Sequence, residues 1–75
     1  MDTLGKRLRH ARQRAVMTQA ELAQAAGVAL ITANRLENDA IDNPRPETVR
    51  RLAKALGVNP AWLLFGEDGE AKLAA

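Results

Sequence analysis

The stretch TQAELAQAAGVALITANRLEN, residues 18–38, constrains this chain more than any other. Thr18 and Glu21 have the spacing of a capping box. In that arrangement the Thr hydroxyl accepts from the Glu21 N–H, and the Glu carboxylate accepts from the Thr18 N–H. Met17 before the cap and Leu22 after it have the spacing of a hydrophobic staple. Gly27 then ends the helix, because a left-handed backbone suits glycine best. A second helical run follows from about Leu30 to Asn38, with Ala29 as its flanking residue and a poor N-cap. Helices this short are marginal alone, so the pair must pack against others.

The rest of the chain supplies those partners. A first helix is expected from about Thr3 to Val16, capped by Thr3 or Asp2, with an apolar stripe at Leu4, Leu8, Ala11 and Ala15. Leu22, Ala23 and Ala26 face inward from the second helix. Val28, Thr32 or Ala33, and Leu36 do so from the third. The connection from Asp39 to Pro44 is polar, and Ile41 tucks beneath it. Pro46 opens a fourth helix whose buried face is Val49, Leu52, Ala53 and Leu56, and Gly57 stops it. Asn59-Pro60 caps and opens a fifth helix, Ala61 to Phe65, ending at Gly66. The expectation is an all-α, compact five-helix domain over residues 1–66. Residues 67–75 form a mobile tail or the start of a linker.

Composition excludes several classes. With 75 residues the chain makes one small domain, and 47% apolar content argues against disorder. There is no cysteine, hence no disulfide framework and no thiolate metal site. His10 stands alone, which speaks against a metal. No apolar run approaches the roughly 18 residues of a membrane span, and no signal-peptide core is visible. There is no nucleophile–base pair and no Gly-rich phosphate loop. The chain is read as a non-enzyme with no catalytic residue, cofactor, metal or small-molecule substrate, located in the cytoplasm. Net charge is only +2, but its distribution is uneven. Lys6, Arg7, Arg9, Arg12 and Arg14 cluster near the start, and Arg45, Arg50, Arg51 and Lys54 form a second group. Such clusters raise the local concentration of a polyanion, unless they only solvate outer helix faces.

The ordered features resemble the lambda-repressor-like, Cro/Xre helix-turn-helix family across about residues 3–66. The resemblance rests on Leu4-Gly5-Lys6-Arg7-Leu8-Arg9, then Thr18-Gln19-Ala20-Glu21-Leu22-Ala23, Gly27-Val28 and Arg35-Leu36-Glu37-Asn38. It continues through Asn43-Pro44, Glu47-Thr48 and Leu52-Ala53-Lys54-Ala55-Leu56-Gly57-Val58. It implies a five-helix bundle with the helix-turn-helix at the second and third helices. It also implies a sequence-specific transcriptional regulator, a repressor occupying operator DNA as a homodimer. Gln19 matches a position that contacts phosphate or braces the recognition helix. Arg45 matches a backbone-approaching loop, and Arg12 with Glu37 matches a structural ion pair. Four departures stand out. Ala29 replaces a Ser or Thr cap, Leu30 and Ile31 replace polar groove-facing residues, Ala33 replaces a larger aliphatic, and Asp39 stands where Gly is frequent.

On a helix entering the major groove, residues near its N-terminus reach base edges first. Here these are Ala29, Leu30, Ile31 and Thr32, with Asn34 and Arg35 a turn later. Arg35 suits guanine O6 and N7, or a phosphate; Asn34 suits adenine N6 and N7. For Leu30 and Ile31 three readings stay open: packing on thymine methyls, turning inward beside Ala33, or an apolar patch for a protein partner. The last defines the alternative function, a protein-interaction module. Trp62-Leu63-Leu64-Phe65 either caps the core entirely or meets a second subunit with one side.

Overall fold

The computed structural model describes residues 3–66. Within them lie α1 (Leu4–Arg14), α2 (Gln19–Ala26), α3 (Leu30–Glu37), α4 (Pro46–Leu56) and α5 (Pro60–Phe65), and no strand. The 67–75 tail and the Asp2 cap fall outside the described residues.

Local chemistry sets most boundaries. Thr3 accepts from the Lys6 N–H and starts α1. The capping box at Thr18 and Glu21 forms in both directions, at 3.0 and 2.8 Å. Gly27, Gly57 and Gly66 take left-handed backbones at the ends of α2, α4 and α5. Asn59 accepts from the Ala61 N–H at 2.7 Å ahead of α5. Only α3 and α4 begin without a side-chain cap bond. At α4, Pro46 in the first turn brings no N–H to satisfy.

The core takes at least one large aliphatic residue from every helix: Leu8, Leu22, Leu36, Val49, Leu52 and Leu63, each 2% exposed or less. Burying each stabilises the fold by roughly 1.5–3 kcal/mol. Met17, Val28 and Ile41 pack against this cluster, as their spacing suggested. Ala11, Ala23, Ala26, Ala33 and Ala53 are also buried, and small side chains there let helices approach closely. At Gly5 two helices come especially near. A Cβ there would lie 2.5 Å from the Glu37 carbonyl oxygen and 2.7 Å from that of Leu36. Thus α1 crosses the end of α3 backbone to backbone.

Asp39 explains its own departure from glycine. Its φ is +55°, a left-handed value tolerated by Asp better than by most residues. Its carboxylate accepts from the Gly5 N–H and from the Thr3 hydroxyl, both at 2.9 Å. The loop after α3 therefore caps the start of α1.

Two expectations are corrected and one open alternative is closed. First, α1 stops at Arg14, not Val16. Val16 is left-handed at φ +56°, so Ala15 leaves the apolar stripe and is exposed. The helix end is held by Met17, whose N–H donates to the Arg12 carbonyl at 3.2 Å and whose carbonyl accepts from Arg12 Nη1 at 2.9 Å. Second, Arg7 does not belong to the solvated basic face. It is 6% exposed, and its guanidinium donates to the Leu63 and Leu64 carbonyls at 3.0 Å each. It satisfies orphan carbonyls at the end of α5. Third, the α5 apolar run divides more finely than its sequence suggested. Leu63 is buried, Trp62 and Leu64 are half-buried against the core, and Phe65 is 68% exposed. The four do not all cap the core.

Two substitutions test this geometry by urea unfolding. Gly5→Ala should destabilise by about 2–3 kcal/mol, because backbone cannot yield to the new methyl group. Val16→Gly should stabilise by about 1 kcal/mol, since it relieves a left-handed β-branched residue. Val16 is 88% exposed, so little burial is lost.

Candidate nucleic-acid interface

The third helix is held from behind by one carboxylate. The Glu37 side chain is 0% exposed and ties α1, α2 and α3 together. Arg12 grips it with two bonds, Nε to Oε2 at 2.6 Å and Nη2 to Oε1 at 3.1 Å. Gln19 donates from the start of α2 at 3.1 Å, and Arg9 from α1 at 3.3 Å. Burial pushes the Glu37 carboxyl upward. The bonds from Arg12 and Gln19, the Arg12 charge and the Arg9 bond outweigh that, so the group lies below its ordinary value of 4.5.

A chain of hydrogen bonds runs from cation to anion around this carboxylate. Arg9 Nη2 donates to Asn38 Oδ1 at 3.2 Å, and Asn38 Nδ2 donates to Asn34 Oδ1 at 3.3 Å. Asn34 Nδ2 donates to Gln19 Oε1 at 3.2 Å, and Gln19 Nε2 donates to Glu37. Arginine can only donate and a carboxylate can only accept. The two ends therefore set the direction of all three amides between them. Gln19 takes the bracing role. Asn34 has both amide ends engaged, although each retains a further hydrogen-bonding position. In the sequence Asn38 and Arg9 stood only inside longer motifs and, for Arg9, a basic cluster, with no role of their own. Asn38 stands four residues after Asn34 on the same helical face, and that spacing is the signal that could have found it.

The outer face of α3 is different in kind. Leu30 is 51% exposed and Ile31 53%. Neither turns inward, although Ala33 is fully buried beside them, so that reading is set aside. Ala29 is exposed and makes no cap bond. Arg35 is exposed, and its guanidinium has no partner among the described residues. Thr32 is half-buried and lines a shallow groove with Arg45 and Thr48, on the side of α3 that meets α4 and its preceding loop. Arg45 is the exposed N-cap residue of α4 and brings an unpaired cation beside the start of α3.

The two basic clusters are thinner than their composition. Arg7 is buried, Arg12 is 15% exposed and paired, and Arg9 shares the same carboxylate. In the second cluster Arg51 pairs with Glu47 at 2.9 Å, and also donates to the Gly27 carbonyl at 3.3 Å. It braces the turn between α2 and α3, a role its sequence context did not announce beyond the Glu47 spacing. No group of three His, Cys, Asp or Glu side chains converges among the described residues. No helix there is long and apolar enough to cross a membrane.

A model of the helix-turn-helix family matches residues 8–63. The HTH-type transcriptional repressor RghR of Bacillus subtilis is 32% identical over 65 residues, covering 87% of this chain and 48% of RghR. The HTH-type transcriptional regulator DicA of Escherichia coli is 30% identical over 66 residues, covering 88% of this chain and 48% of DicA. The chain thus spans about half the length of the curated relatives it matches. Among solved structures, the P22 c2 repressor protein in complex with a synthetic operator superposes with a TM-score of 0.81 at 30% identity. That match covers 89% of this chain and 100% of the repressor chain.

The Glu37 cluster carries a pH signature. A carboxyl depressed in the folded state adds stability that is full above its unfolded value, and loses it as pH falls through the folded value. Glu37→Gln should cost about 3 kcal/mol at neutral pH, because Arg12 loses its charged partner. The gap between wild type and variant should close as pH drops below 4.5. Denaturant unfolding from pH 7 into the acid range measures it; a constant gap would show that the charge is not what holds the cluster.

Proposed function

This chain belongs to the Cro/C1-type helix-turn-helix family, and on that premise we propose that it is a sequence-specific DNA-binding transcriptional regulator. It occupies operator DNA with α3 in the major groove and represses by excluding polymerase, without chemistry of its own. The observation that carries this reading is the division of α3 into two faces. The inner face is locked to α1 and α2 through Glu37, while the outer face leaves Leu30, Ile31 and Arg35 exposed, with the unpaired Arg45 near Ala29 and Thr32 at the helix start. A rigid helix with an unsatisfied outer face suits docking into a preformed groove. The likeness to a repressor bound to its operator supports the same reading.

The roles follow from the chemistry. Arg35 donates to guanine O6 and N7, the commonest specific contact. Leu30 and Ile31 pack on base edges without hydrogen bonds, and Ala29 leaves room at the helix start. Arg45 neutralises a backbone phosphate beside Thr32. Gln19 and Asn34 hold one another and offer their remaining amide positions to phosphate and base. The exposed Phe65 supports a two-fold dimer through the end of α5. Such a dimer would set half-sites about one turn of DNA apart.

Selection of bound sequences from a random duplex pool, followed by fluorescence anisotropy, tests the proposal. Enrichment of a short palindrome is expected; no binding at low salt would end it and favour the protein-interaction module. Arg35→Ala should lose about 1–3 kcal/mol at one base position and little elsewhere. Arg45→Ala should instead weaken all sequences alike and lower the salt slope by about one. An equal loss on every sequence for Arg35→Ala would remove it from base reading.

A further inference from the structure

We infer that Leu30 and Ile31 form a reader of C5-methyl groups, so that 5-methylcytosine takes the place of thymine in the bound site and cytosine methylation strengthens binding. The inference rests on the DNA-binding reading above and specifies what the same face recognises.

Three observations lead to it. Both side chains are about half exposed at the helix start, where groove contact comes first. Ala29 is small and makes no cap bond, and Thr32 lines the groove toward Arg45 and Thr48. The core does not claim Leu30 or Ile31: neither belongs to the buried cluster or to the apolar residues packed against it.

The chemistry then narrows the ligand. In the major groove thymine shows O4 and a C5-methyl group, while cytosine shows an N4 amino group. An aliphatic side chain cannot tell O4 from N4 by hydrogen bonding. It senses only whether the methyl is present, and 5-methylcytosine carries that methyl on the same ring carbon. Helical spacing adds a neighbour. Ile31 precedes Arg35 by four residues and shares its face, within about 5–6 Å. The methyl contact therefore falls near the guanine that Arg35 would read. The apolar face and the free guanidinium suit DNA, a polyanion with methyl-bearing base edges, better than an apolar protein surface.

The test starts from the site selected with the 75-residue chain. Each thymine is replaced in turn by deoxyuridine, which lacks only the methyl, and then by cytosine and by 5-methyldeoxycytidine. Anisotropy titrations are run at fixed salt. Burying one methyl is worth about a fourfold change in affinity. At least one thymine per half-site should lose about that factor with deoxyuridine, and 5-methyldeoxycytidine should regain about the same factor over cytosine. Leu30→Ala with Ile31→Ala, both at exposed positions, should weaken binding to the thymine site by about the factor that deoxyuridine costs the unsubstituted chain, and erase the difference between thymine and deoxyuridine. Selective binding with no deoxyuridine effect at any position would overturn methyl reading and leave DNA recognition standing. No selectable site at all would overturn the functional reading beneath it.

Discussion

The buried carboxylate of Glu37 is the interaction on which the domain's working surface depends. Removing a carboxylate from water costs several kcal/mol, even after the protein relaxes around it. Here four donor bonds from Arg12, Arg9 and Gln19 offset that cost. A hydrophobic cluster of similar volume would hold three helices together as firmly. It would not fix their rotation, because apolar contact is non-directional. A forked guanidinium on a carboxylate fixes both distance and angle. The pair sets α3 against α1 and α2 in one orientation, and the outer residues of α3 inherit it.

That support matters because α3 is weak by its own sequence. It has eight residues and no side-chain cap, and Thr32 and Ile31 are β-branched. An isolated helix of this length would not persist in water. Its start is stitched by the turn after Gly27, which Arg51 braces from α4. Its end is stitched by Asp39, whose carboxylate holds the start of α1. The helix that would enter the groove is therefore stabilised almost wholly by its neighbours. Its outer face is left free to vary without loss of fold, and the apolar Leu30 and Ile31 are tolerated there for that reason.

What could be read from the chain and what could not divide along sequence distance. Helix starts at Thr18, Pro46 and Asn59 and stops at Gly27, Gly57 and Gly66 are chemistry within four residues, and a linear reading reaches them. The core leucines follow from periodicity for the same reason. The resemblance added Arg12 and Glu37 as a pair, 25 residues apart. Arg7 lay beyond both. Its partners are 56 and 57 residues away, and a basic residue on a basic helix gives no sign that it is buried. The polarised chain through Asn38 and Asn34 was hidden differently. Each link is short or ordinary, but its direction comes from a cation and an anion on separate helices. Val16 misled because nothing local favours a left-handed valine; the bonds between Arg12 and Met17 impose it.

Site legibility follows the same rule with one reversal. Residues that face solvent have no structural partner to betray them, so Leu30 and Ile31 were legible only as departures from what an exposed helix start should contain, and Arg35 only by its place one turn later on that helix. The fold removes the simplest structural excuse for them. Neither aliphatic chain belongs to the core or to the apolar residues packed against it. Two large apolar groups held half in water raise the free energy of the unbound state. They lower it only when something covers them. The polar lattice behind α3 makes the same point from the other side, since a directional brace is unnecessary for a helix that merely completes a core. Together they describe a surface whose orientation is stabilised at some cost and whose apolar exposure a bound partner would relieve.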